Sequence, residues 1–407
     1  MANNNNKDKC NVPNLRFPEF SGEWEMSSIG EQFELYSGNT PSRMNKNQFD
    51  GSINWITSGE LKEHYISDTK EKISEEAAKN NSLKLLPVGT FVIAIYGLEA
   101  NGVRGTCSIT TRESTISQAC MAFTSKMDIQ NEFLYSWYKK HGNIIGIKYA
   151  QGTKQQNLSY DIIERFNISY PCMEEQKKLI RFISLIDQRI ATQNKIIEDL
   201  KKLKSAIIEN VFDDKHSERL QLDNVGSYIR GLTYSSNDVV EHGGTLVMRS
   251  NNIVNGSLLD YNNNVVFVNK QMSAEQQLQN GDIVICMANG SSSLVGKSSF
   301  YDGNWHSSIT VGAFCGIYRS KEPIVKWLFQ TNKYRRYIWN SLQGGNGAIA
   351  NLNGEDILNM SFSIPSAPIK DTCVKMLTSV DSALENNISL CALYTLQKQY
   401  LLRQMFI

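Results

Sequence analysis

The residues best placed to do chemistry form a loop rich in glycine and serine. Gly290-Ser291-Ser292-Ser293-Leu294-Val295-Gly296-Lys297-Ser298 follows a strand-like run at 282–287. A phosphate-cradling loop has four residues between its glycines and opens a helix, whose dipole and free amides hold the anion. Here five residues separate Gly290 from Gly296, and the continuation Ser299-Phe300-Tyr301-Asp302-Gly303 reads as strand and turn. The loop therefore looks less like a nucleotide site than a surface loop that offers Lys297 to a phosphate. His64, His141, His216, His242 and His306 show no ligand-like spacing with Cys, Asp or Glu, so no metal site is expected. The eight cysteines form no Cys-x-x-Cys, and several sit in apolar runs, which suits reduced core residues. There is no Gly-x-Ser-x-Gly elbow and no Asn-Pro-Pro-aromatic signature.

Other loops are dense in side chains that can read hydrogen-bonding edges. Bidentate contact to a purine edge needs Arg, Lys, Asn or Gln, while phosphate contact needs Lys, Arg or hydroxyls. In the first half of the chain the candidates are Arg43, Lys46, Arg104 and the cluster Lys154, Gln155, Gln156 and Asn157. In the second half they are Arg249, Ser250, Asn251, Asn252, Lys297 and Asn346. The run Lys333-Tyr334-Arg335-Arg336-Tyr337-Ile338-Trp339 also mixes basic and aromatic residues, but an amphipathic helix with an aromatic inner face accounts for it. Formal net charge is +1, which gives no global argument for a polyanionic partner.

The elements that must position these loops occur twice. Residues 171–212 and 365–406 align without a gap at an offset of 194. In the first copy, alternating steps of four and three pick out Leu179, Ile183, Ile186, Ile190, Gln193, Ile197, Leu200, Lys204, Ile207 and Val211. In the second they pick out Cys373, Leu377, Val380, Leu384, Asn387, Cys391, Tyr394, Lys398, Leu401 and Met405. Eight of ten are apolar in each, which is a coiled-coil seam. The polar breaks coincide: Gln193 with Asn387, and Lys204 with Lys398. Pro171, Asp187 and Phe212 match Pro365, Asp381 and Phe406. Two such helices pair antiparallel if a pseudo-two-fold relates the copies.

The stretches before each helix repeat more loosely. Trp55-Ile56-Thr57-Ser58 aligns with Val247-Met248-Arg249-Ser250, and 87–94 with 279–286, both at an offset of 192. Ala122-Phe123 is set against Ala313-Phe314. Short β-like runs, Gly/Asn-rich loops and few helices make this α+β patterning. With 407 residues and 41% hydrophobic content, the chain suits two globular domains plus helices. The expected divisions are a tail and lead-in (1–23), a first domain (24–170), a central helix (171–213), a second domain (214–364) and a C-terminal helix (365–407). No run of 18 apolar residues occurs and the N-terminus lacks an apolar signal core, so a cytoplasmic protein without a membrane span is expected.

Three segments carry a resemblance: NVPNLRFPEFSGEWE (11–25), PCMEEQKKLIRFISLIDQRIATQNKIIEDLKKLKSAIIENVF (171–212), and the degenerate second copy ending at Phe406. Their Pro…Glu-Glu-Gln…Asp-x-x-Ile…Leu-Lys…Phe pattern resembles the DNA-specificity subunits of type I restriction–modification systems, over nearly the whole chain. The second copy departs from it, with Ala367-Pro368-Ile369-Lys370 where the first has Met173-Glu174-Glu175-Gln176.

The resemblance implies two target-recognition domains, each reading one half of a gapped double-stranded DNA sequence. It implies an antiparallel coiled coil that sets the gap. Two modification subunits would dock on the chain, bringing adenine methylation and S-adenosylmethionine. Restriction (motor-nuclease) subunits would bring ATP and Mg. The chain itself would carry no cofactor and no catalytic centre. A scaffold joining two protein-binding domains is the alternative that the near-neutral charge keeps open.

Overall fold

The computed structural model describes residues 11–97, 105–126, 128–149, 156–212, 218–342 and 350–407. The chain forms two compact units, Met1–Asn194 with Ser389–Ile407, and Lys195–Ile388. Each unit thus holds one globular domain and about half of each long helix.

In the first unit, the run Phe91-Val92-Ile93-Ala94 is buried on both faces, as a continuous apolar strand should be. It lies inside a five-stranded sheet in the order Phe33–Ser37, Cys120–Ser125, Phe91–Ala94, Cys107–Thr110, Tyr65–Ile66. Only the last pairing is parallel. Helix Asn131–Tyr149 lays Phe133, Leu134, Trp137 and Tyr138 onto this sheet. A smaller sheet holds Ile53–Ile56 between Lys72–Ile73 and Ser114–Ile116.

The second unit repeats this nearly element for element. Its main sheet runs Gly226–Arg230, Cys315–Ser320, Ile283–Cys286, Ser298–Phe300. Thr245–Met248 again lies between an antiparallel neighbour, Val266–Val268, and a parallel one, Ile309–Val311. One sequence equivalence needs correction. Cys120 pairs with Ala94, and Cys315 pairs with Cys286, the counterpart of Ala94. Cys315 therefore corresponds to Cys120, and the buried Tyr318 corresponds to Phe123. Phe314 falls opposite Ala119, on the turn before the strand. The carbonyls of both turn residues accept the same pair of amides: Ile95 and Tyr96 on Ala119, Met287 and Ala288 on Phe314.

The long helices are Met173–Val211 and Ala367–Met405, each 39 residues and so about 58 Å long. Every predicted seam residue is buried or half-buried. In the first unit Asp187 meets Lys398, Arg189 meets Tyr394 and Asn194 meets Cys391, so the helices run antiparallel there. In the second unit Lys204 meets Asp381, also antiparallel, and Ile208 and Val211 share a core with Cys373 and Leu377. Gln193 is buried, and Asn387 donates to the Ala383 carbonyl at 2.6 Å.

The two lysine breaks in the seam thus each face an aspartate on the other helix, at 2.6 Å for Lys204–Asp381 and 2.5 Å for Lys398–Asp187. Asp381 also receives Lys326 at 2.9 Å. Burial, the largest influence, holds the Lys204 ammonium below its ordinary pKa, and Asp381 opposes that.

The ends of the helices are plugged alike. Phe406 packs on Phe133 in the first core, and Phe212 is buried in the second. Their starts differ. In the first copy buried Glu175 takes both Nε and Nη2 of Arg16, at 2.8 and 2.7 Å. Gln176 donates to the Asp128 and Pro171 carbonyls and accepts from the Gln130 amide. In the second copy Ile369, the counterpart of Glu175, is 54% exposed, and Lys370 pairs with Glu322 at 3.1 Å. The acidic clamp is therefore confined to the first half.

Removing one partner of a buried pair strands the other. Lys204→Ala should cost about 3 kcal/mol in urea unfolding, and Lys204→Met with Asp381→Leu should recover most of it. A double variant as unstable as the single one contradicts this account of the seam.

Candidate nucleic-acid interface

The strand Thr245–Met248 runs directly into a 3-10 turn, Ser250–Asn252, and this turn presents the densest group of predicted readers. Arg249 and Ser250 are half-buried and Asn251 is exposed. They line an open cleft of about 590 Å³ with Tyr234, Gly312 and Phe314. Arg249 Nη2 donates to the Asn264 carbonyl at 3.0 Å, and Asn289 Nδ2 donates to Ser250 Oγ at 3.3 Å. Arg249 and Ser250 are thus each held by a neighbour on the cleft floor.

Asn252 is a correction to the sequence reading. It is 0% exposed. Its Oδ1 accepts the Arg249 amide at 3.0 Å, and its Nδ2 donates to the carbonyls of Asp260 and Asn263 at 3.1 and 2.7 Å. Nothing of this side chain is left for a base. In the first domain Glu60 does the same work, accepting the Thr57 amide at 2.8 Å in the equivalent turn Ser58–Glu60. Asn252 shapes the loop that carries the candidate readers.

Arg43 is also largely committed. Its Nη2 meets Glu71 Oε2 at 2.8 Å while Nη1 meets Oε1, and its guanidinium lies over Phe49 and Trp55 at 4.7 and 5.3 Å. The Glu71 carboxylate raises its pKa above the ordinary value. Arg43 therefore braces its loop more than it offers donors. Lys46 is exposed at the start of the 3-10 turn Lys46–Phe49. Asn157 is exposed on the short strand Gln156–Asn157, which pairs with Tyr96–Gly97. Arg104, Lys154, Gln155 and Asn346 lie outside the described residues, and of Gln156 only the backbone is described.

The Gly/Ser loop does not open a helix. After a 3-10 turn at Ser292–Leu294 it continues into strand Ser298–Phe300. Gly296 has φ +80°, and a Cβ there would meet Ile338 at 2.7 Å. Lys297 lines a second, smaller cleft of about 250 Å³ with Asn255, Ser292, Arg335 and Trp339. The basic–aromatic run is the amphipathic helix expected: Tyr334 and Ile338 are buried and Arg335 and Arg336 exposed within Asn332–Leu342. Trp339 departs from it, being exposed.

Sequence reasoning missed Tyr234, Asn289 and Phe314. The first two carry no local signal, because the fold brings Tyr234 to the cleft wall and Asn289 to Ser250 from distant positions. Phe314 was hidden by the misaligned repeat, which set it against a core phenylalanine. Among the described residues no group of three or more His, Cys, Asp or Glu is arranged to hold a metal, and no helix is long and apolar enough to cross a membrane. Of the cysteines described, all are free, five of them buried.

Two copies of one α+β domain, each followed by a long helix, define a tandem-repeat architecture. Residues 21–202 match the family described as type I restriction modification DNA specificity domain. The type I restriction enzyme MjaIX specificity subunit of Methanocaldococcus jannaschii is 29% identical over 196 residues, which are 47% of this chain and 44% of that one. The EcoR124I/EcoR124II specificity subunit of Escherichia coli is 28% identical over 192 residues, 46% of each. These matched segments span less than half the length of the relatives. The crystal structure of a type I restriction–modification S subunit from M. genitalium shares the fold, with TM-score 0.60 and 14% identity over 97% of this chain and 99% of that one. The first domain and most of the first long helix thus match the type I restriction modification DNA specificity domain family, and the matched relatives are specificity subunits of type I restriction enzymes.

The two asparagine and arginine roles separate experimentally. Arg249→Ala should lower the melting temperature far less than Asn252→Ala, and should relax base preference on DNA by roughly 1–3 kcal/mol per base pair. Asn252→Ala should lower the melting temperature, because it strands three buried backbone groups. Thermal melting with competition binding checks both; an Arg249→Ala variant with unaltered preference removes Arg249 from the interface.

Proposed function

We propose that this chain is the sequence-reading subunit of a type I restriction–modification complex. The domain at 24–170 reads one half of a gapped double-stranded DNA target, and the domain at 214–364 reads the other. The helices at 171–213 and 365–407 set the unread gap. The observation that carries this reading is the duplicated domain, whose first copy matches the specificity-domain family and whose second copy repeats its strand order.

Two modification subunits supply adenine methylation and bind S-adenosylmethionine, and restriction subunits use ATP and Mg. The chain takes no cofactor and performs no catalytic step; its most enzyme-like motif, the Gly/Ser loop, runs into a strand. Leu393, Leu396 and Tyr400 support partner docking on the helices, since they are exposed about one turn apart along the second helix. The work is that of a cytoplasmic protein.

The helical ruler has a mechanical consequence. One extra turn, about four residues, in both helices lengthens them by about 6 Å. At roughly 3.4 Å per base pair, the recognised gap should grow by one or two base pairs. Selection of bound duplexes from a random library, with the modification subunit present, reads this directly. An unchanged gap contradicts the ruler, and an assembled complex that enriches no two-part sequence favours a scaffold instead.

A further inference from the structure

Phe314 stands out once its position is fixed by structure. Its side chain is 66% exposed, yet its backbone is tied down on the turn. Its carbonyl accepts the amides of Met287 and Ala288 at 2.8 and 3.1 Å. The neighbouring Gly312 amide donates to Met248, and the Cys315 amide donates back to Gly312. A ring on a floppy loop could fold away from water; one held on this turn stays presented. It stands at the rim of the 590 Å³ cleft that Arg249, Ser250 and Asn251 line. Arg249 Nε is buried and finds no acceptor among the described residues.

These features fit one kind of occupant. A base inside a duplex has both faces covered by its neighbours and offers only its edge to a protein. A rigid aromatic ring gains little from an edge but much from a face, and stacking tolerates any base. A cleft of this size, with guanidinium, hydroxyl and carboxamide groups beside the ring, can seat a single base whose edge they bond. The first domain lacks the arrangement, with Ala119 in place of Phe314 and Thr57 in place of Arg249.

We infer that the second domain holds one base of its half-site out of the helical stack, its face on Phe314 and its edge towards Arg249, Ser250 and Asn251. The first domain reads its half-site without such a base. This rests on the DNA-reading function proposed above, and makes Phe314 a specificity-determining residue of one half only.

The test uses the full chain assembled with its modification subunit, and duplexes carrying the target that the assembly itself selects. Phe314→Ala should weaken binding about five- to hundred-fold, the range for loss of one base–aromatic stack. Phe314→Trp should restore it. At one position of the second half-site, replacing the opposite base to create a mismatch should tighten binding to the unaltered protein, because unpairing is then already paid in the free DNA. That gain should be lost in Phe314→Ala. Mismatches in the first half-site, and those opposite an adenine that the modification subunit methylates, should give only gains that Phe314→Ala leaves intact. Unchanged affinity in Phe314→Ala, or a loss of affinity with no mismatch in the second half-site whose gain depends on Phe314, overturns the inference while leaving DNA reading intact. An assembly that selects no target overturns the functional reading itself, and the inference with it.

Discussion

A lysine set in the apolar seam between two long helices has to find an acceptor, and in this chain that requirement recurs at equivalent places. Lys204 and Lys398 interrupt otherwise apolar seams, and each meets an aspartate from the opposite helix. Desolvating a charge costs several kcal/mol, so a seam shifted by a few residues would leave both lysine and aspartate stranded among apolar groups. The pairs therefore select one antiparallel register in each unit. The aspartates are themselves repeat-equivalent, Asp187 to Asp381, so one pairing rule written once in the sequence repeat serves both units.

That register determines what each globular domain can grip. The end of the second helix enters the first core beside Phe133, and the end of the first helix enters the second core through Ile208, Val211 and Phe212. Each compact unit is consequently assembled from distant parts of the chain, and its globular domain is packed onto the helices and not merely tethered to them. The clamp between Arg16 and Glu175 adds a second anchor in the first unit, where Lys370 and Glu322 alone occupy the equivalent place in the second.

The seams, their polar breaks and the repeat were legible in the sequence because period and spacing survive even when residue identity drifts. Lys204 and Lys398 were visible as breaks, but their partners were not, since pairing across helices depends on register. The candidate site was legible only in part. Arg249, Ser250 and Asn251 do line one cleft, yet Asn252, chosen for the same side-chain chemistry, is spent inside the loop. Composition cannot tell a carboxamide that faces a ligand from one that caps a turn. Phe314 was lost to a misplaced alignment of two residues, and only the hydrogen bonding of its strand to Ile283–Cys286 places it opposite Ala119.

The central claim is that this chain alone decides where its complex acts on DNA. Its most direct test is a map of modified adenines, obtained by long-read sequencing from a host that lacks adenine methylation and expresses the chain with its modification subunit. The account predicts one two-part motif with a fixed gap, present with this chain and absent when it is omitted. A complex that assembles and binds S-adenosylmethionine but marks no such motif, or marks the same motif without this chain, would contradict it.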